Sequence, residues 1–151
     1  MSNPYPELDA HVQNVPVSRE DVERLLAKME DDRKAAEHNR QDAPGWAVTI
    51  AHQVIYSGCA ALMAAYGCRP RVNGHHRTAI QFAKLTLPEH SAPFDDAEQV
   101  RRQRHAVMYG TMMNPSNTDV AATLKLAHQL AEILAAAALG VLDKHDGTRE
   151  H

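Results

Sequence analysis

Apolar residues recur at helical spacing in five stretches of the chain, and none alternates for long enough to predict a strand. Residues 18–40 open with Ser18 as N-cap, carry acids in the first turn and set Val22, Leu25, Leu26 and Met29 on one face. Past Met29 that face continues as Arg33, Ala36, Glu37 and Arg40, so the end of this helix is expected to project beyond the core. A break at 42–45 precedes a second helix at 45–67, whose stripe is Ala47, Ile50, Val54, Gly58, Ala61, Leu62 and Ala65, with Gly67 placed to end it. Small residues dominate the stripe. Another helix can approach closely there, which makes this the expected central helix, with His52 and Tyr56 on its other side, at the surface or at a second interface.

Residues 75–87 put His76, Ala79, Ile80, Ala83 and Leu87 on one stripe and stop before Pro88. Residues 88–94 read as a loop. The next helix, 95–109, sets Ala97, Val100, Val107 and Met108 on a face with Arg104 at its centre, and Gly110 follows as a stop. After a turn, with Ser116 or Asn117 as cap, the last helix runs to 145 along Val120, Leu124, Ala127, Ala131, Leu134, Ala138 and Leu142. The predicted class is all-α, an up-and-down bundle of four long helices plus one shorter helix. Residues 1–17, with Pro4, Pro6 and Pro16 and no periodicity, read as an irregular arm, 18–145 as a single domain and 146–151 as a disordered tail.

Arg104 is the residue that breaks the apolar pattern. An arginine keeps its charge, so on an inward face it needs ionic or hydrogen-bonding partners, or a water-filled groove. His76 is a second polar residue on an inward stripe, although a neutral imidazole satisfied in the core is its ordinary reading.

A chain of 151 residues can bury a core without staples, and Cys59 and Cys68 read as free thiols suited to a reducing cytosol. The first 17 residues lack the apolar segment of a signal peptide, and no uninterrupted apolar run reaches about 18 residues. A cytoplasmic protein with no membrane partner is expected. The net charge of −3 argues against broad electrostatic capture of nucleic acid, but Arg69, Arg71 and Arg77 cluster near one loop and Arg101, Arg102 and Arg104 in one helix. The ten histidines are scattered, and side chains of the adjacent pair His75–His76 point in different directions on a helix, so neither a metal nor a cofactor is expected.

The order AHQVIYSGCAALMAAYG, GHHRTAIQFA, QVRRQRHAVMYG, then a turn and an alanine-rich helix, resembles the HEPN superfamily of small helical bundles from prokaryotic toxin–antitoxin and conflict systems. The likeness covers roughly residues 33–142. Arg104 falls on the superfamily's arginine, and RQRHAVMYG is similar to the variant in which that arginine is followed five positions later by tyrosine, here Tyr109. The resemblance implies a homodimer whose two copies of this helix meet across a cleft. In active members the arginine and a histidine about five to seven positions further on cleave RNA without metal. Here those positions hold Tyr109, Gly110 and Thr111, and His105 directly follows the arginine.

Two classes of function follow. In the first, the Arg104 cleft binds RNA, a nucleotide or a partner protein such as a cognate antitoxin or nucleotidyltransferase, with Arg101, Arg102, His75 and Arg77 as supporting binding residues. In the second, the protein is a metal-independent endoribonuclease in which Arg104 stabilises the developing phosphorane charge, His105 or His76 moves protons and Tyr109 orients the phosphate. A plainer reading makes Arg104 an intersubunit ion-pair residue with Glu37 or Glu132.

Overall fold

The computed structural model describes the backbone of residues 2–108 and 115–149 and, within those spans, the side chains outside 103–108 and 148–149. Helix α1 (Arg19–His38) starts where its cap directs: Ser18 is extended and its hydroxyl accepts the Asp21 N–H at 3.2 Å. This satisfies one of the amides that the first turn of any helix leaves without a carbonyl. Val22, Met29 and Ala36 are buried. The far end of α1 is engaged rather than projecting, because Ala36 packs in the core and the Glu37 carboxylate is hydrogen bonded to His128 at 2.9 Å.

Helix α2 (Pro44–Ala65) begins with a proline, whose missing N–H has no partner to lose at that position, and ends where Gly67 takes a left-handed φ of 78°. It packs against α1 and against each of the three helices introduced below, and it is buried on nearly every side. Three of its polar residues, Thr49, His52 and Ser57, are therefore core residues. The Thr49 hydroxyl donates to the Gly45 carbonyl one turn back at 3.2 Å, and His52 is 0% exposed. Of the two positions expected for His52, the structure gives the second interface.

Residues 1–17 are more regular than expected. A 3-10 turn at Pro6–His11 leads into strand β1 (Val12–Asn14), which pairs antiparallel with β2 (Cys68–Pro70), Val12 opposite Pro70 and Asn14 opposite Cys68. Leu8 and Val12, four residues apart among prolines, are both buried and give the arm its anchor. Tyr5 meets Phe82 edge-on with ring centroids 5.1 Å apart. Its hydroxyl donates to Thr86, since the only Thr86 hydroxyl proton is already given to the Phe82 carbonyl.

Helix α3 (His75–Thr86) follows the ribbon and buries Ala79, Ile80, Phe82 and Ala83. The segment expected as a loop at 88–94 is instead a 3-10 turn, Pro88–His90, followed directly by helix α4 (Ser91–Met108). Pro93 lies in the first turn, where it removes no intrahelical hydrogen bond, and Phe94 is completely buried as the anchor of the helix start. Helix α5 (Asn117–Arg149) is capped by Ser116, whose hydroxyl accepts the Asp119 N–H at 3.1 Å, and its expected stripe from Val120 to Leu142 is buried throughout. Residues 146–149 of the tail expected to be disordered continue this helix, and 150–151 lie outside the described residues. Arg19 of α1 holds this end of the helix, bonding Asp146 at 2.6 Å and Asp143 at 3.1 Å.

The described residues thus form an all-α bundle with one two-stranded ribbon. Helices α2 and α5 are long and apolar enough to cross a membrane by length and composition, and 78% of the apolar window of α2 is buried within the protein.

Close approach at Gly58 sets the spacing of three helices. A Cβ there would lie 2.8 Å from Cδ1 of Leu134 and 3.0 Å from the sulfur of Met29. Gly58→Val is expected to destabilise by about 1–3 kcal/mol through overpacking, which thermal melts would register as a fall of roughly 2–4 °C for each kcal/mol. Phe94→Ala is expected to cost more, about 3–5 kcal/mol, because it empties the anchor of α4.

Candidate functional site

Four aromatic rings meet where the start of α3 crosses the middle of α2. Gly74, left-handed with φ 68°, turns the chain into α3 and supplies the carbonyl that accepts the Thr78 N–H at 3.0 Å. His75 Nδ1 donates to the Val72 carbonyl at 2.8 Å, so its single neutral-state proton sits on that nitrogen. His76, the next residue, turns inward. Its Nδ1 lies 2.5 Å from Nε2 of the buried His52, and the Tyr56 ring covers it at a centroid distance of 4.3 Å and an angle of 23°. His75 stands edge-on to both, 4.2 Å from His76 and 5.3 Å from Tyr56.

Burial pushes the Tyr56 phenol up, with a smaller push from Cys59, so its hydroxyl keeps its proton at neutral pH. Burial raises the Cys59 thiol strongly and moves Cys68 up to about 11. Neither thiol is a nucleophile at neutral pH.

Compared with known protein families, with characterised proteins and with solved structures, the chain gives no significant match. The reading of the site therefore rests on its own residues.

Helices α3 and α4 are joined by residues 87–90 and packed together, and so short a connection makes them antiparallel neighbours. Lys84 and Asp95 face each other across this hairpin at 2.6 Å. Eight residues back from Lys84 is His76, and eight residues on from Asp95 is Gln103. The backbone of α4 at 103–104 accordingly comes level with the start of α3, about 12 Å along both helices from the ion pair. The side chains of Arg104 and His105, and the whole of Tyr109, lie outside the described residues.

The remaining candidates separate. Arg101 is committed within α4, with Glu98 oxygens at 2.7, 3.0 and 3.1 Å, and these hydrogen bonds outweigh partial burial to raise its pKa. Arg102 lies 3.7 Å from the same carboxylate and is more exposed. Arg77 is exposed on α3 and borders an open groove of about 500 Å³ with Glu7, His11, Asn73 and Gln81. Glu37, considered as a partner for Arg104, is already bonded to His128 and Arg40, and the His128 contact lowers its pKa most. A smaller groove between α4 and α5 is lined by Asp96 and Asp119, which would repel a phosphate. Among the described residues no group of three metal-ligating side chains comes together.

His52 and Tyr56 were not singled out as site residues from sequence. Their one signal is their spacing: four apart in a helix that already has an apolar face, they share a second face that must meet another element.

The thiols provide a direct check on this packing. In native protein at pH 8, a thiol reagent such as DTNB is expected to label neither Cys59 nor Cys68 within minutes, and both are expected to react on addition of denaturant. Rapid labelling of either residue without denaturant would mean that the α2 core is open.

Proposed function

We propose that this chain is a HEPN-like homodimer that binds RNA in a cleft formed where the arginine-rich half of α4 runs beside the histidine-bearing start of α3, in a toxin–antitoxin or defence setting. The observation that supports this reading is the Lys84–Asp95 contact across the α3–α4 hairpin, from which equal eight-residue steps lead to His76 on α3 and to residue 103 on α4. Cationic arginines supply phosphate attraction, and Arg77 and Arg102 remain exposed beside the cluster. A nucleotide, a cognate antitoxin or a nucleotidyltransferase partner would use the same surface. Dimerisation through α4 would complete the cleft with a second copy of each residue.

A second reading, metal-independent endoribonuclease, is favoured by one feature. His76 is hydrogen bonded to a buried imidazole and covered by Tyr56, and an imidazole held in this way is suited to proton transfer near neutral pH. His105 is the other proton-transfer candidate of this reading, and Tyr109 would orient the phosphate.

Binding of a labelled mixed RNA pool at rising salt, with sedimentation at micromolar protein, tests the main reading. A dimer is expected, with an affinity that falls as salt rises and drops at least roughly tenfold in Arg104→Ala, the scale of a lost charged contact. A monomer, or RNA affinity unchanged by Arg104→Ala, would overturn it. Cleavage in EDTA tests the second reading. Activity should persist in the chelator with an inflection near about pH 6–7, and His76→Ala or His105→Ala should remove about 10²–10⁴-fold.

A further inference from the structure

Burying an imidazole forfeits hydrogen bonds to water that the interior must replace. For His52, 0% exposed in the middle of α2, the replacement is a second imidazole. Its Nε2 faces Nδ1 of His76 at 2.5 Å, the ring planes lie 15° from parallel and the centroids are 4.6 Å apart. Rings stacked face to face cannot bring two nitrogens this near without overlapping their π clouds. Rings side by side in nearly one plane can, and their centroid separation is then the hydrogen bond plus two ring radii. The contact is an in-plane N–H···N bond with one proton between two nitrogens.

A single bridging proton decides the rest of both rings. A neutral imidazole has one N–H, so the ring that supplies the bridge presents its other nitrogen as an acceptor. We propose that His52 is a positioning residue that holds His76 with Nδ1 as the bridging donor, so that His76 exchanges protons through Nε2. The proposal rests on the endoribonuclease reading above and names the group through which that cleavage acts. The direction follows from what each ring must do. A protonated His76 donates from Nδ1 in any case, so a bridge already pointing that way serves both of its protonation states without rearrangement. The opposite direction would require His52 to exchange tautomers inside the core at every turnover. Tyr56, stacked on one face of His76, and His75, edge-on at 4.2 Å, keep the ring plane from turning away.

In RNA cleavage the balance is closed. His76 Nε2 takes the proton of the ribose 2′-hydroxyl as that oxygen bonds to phosphorus. The bond from phosphorus to the 5′-oxygen breaks, and the proton passes to that oxygen. The bridge to His52 persists throughout, and His52 gains and loses nothing.

The experiment is imidazole ¹⁵N NMR on the full-length protein, with the two rings assigned through His52→Gln and His76→Gln. Wild type should show a scalar coupling between His52 Nε2 and His76 Nδ1 across the bridging proton, with that proton covalently on His76 and with His76 Nε2 in the unprotonated range. A tautomer-averaged His76, or a bridging proton residing on His52, would overturn the assignment. In His52→Leu the His76 ring should revert to an averaged pattern, and RNA cleavage in EDTA should fall roughly ten- to a hundredfold, the usual scale for losing an orienting partner. His52→Gln, whose amide oxygen can accept in place of Nε2, should restore most of both. If His52→Leu does not fold, the wild-type coupling decides alone. A wild type that shows the bridge but neither binds nor cleaves RNA sinks the RNA reading and leaves the fixed ring standing. Undiminished cleavage by folded His52→Leu sinks the positioning role and leaves the RNA reading standing.

Discussion

A helix enclosed on nearly every side has little surface on which a polar side chain can be left to water, and α2 is such a helix. Each fully buried polar residue along it must find its partner inside the protein. Thr49 does so by bonding back to its own helix, and His52 by reaching across to α3. The same enclosure fixes the spacing of the bundle, because α1 and α5 close over Gly58, where no side chain intervenes. The position of His76 therefore depends on core packing as well as on the loop that precedes it. Imidazole orientation and helix spacing are set by one element.

The α3–α4 hairpin extends that order outward. Phe94, fully buried, seats the first turn of α4, and the exposed Lys84–Asp95 pair marks the register without adding much stability. From that anchored start the helix continues through Arg101 and Arg102. Glu98 takes up Arg101 and lies near Arg102, so the basic segment is partly neutralised from within its own helix. That internal pairing is consistent with a chain whose net charge is negative and whose cationic surface is local.

Long stripes were the legible part of this chain. The face from Val120 to Leu142, the cap at Ser18, the stop at Gly67 and the central place of the small-residue helix all follow from period, caps and residue size. What escaped was short or two-sided. Strands of three residues have no room for alternation, and Leu8 and Val12 stand among prolines that mask their common burial. Phe94 was hidden by Pro93, which reads as a breaker unless the first turn is recognised as the place where a helix tolerates it. In the site, His76 was visible because it interrupts an apolar stripe. His52 was not, because the second face of α2 acquires its meaning only from the helix that covers it.

The ribbon between β1 and β2 links the beginning of the chain to the turn that launches α3. Residues 71–74 are held at one end by that pairing and at the other by the histidine cluster, with the Arg71 amide bonded to the His11 carbonyl at 2.8 Å. The segment before α1, which reads as an irregular arm by composition, is thus a brace for the loop that delivers His75 and His76. Trimming the protein to its first obvious helix would keep every long helix yet remove the strut behind the imidazoles, and a fragment of that kind would report on a looser site than the intact chain possesses.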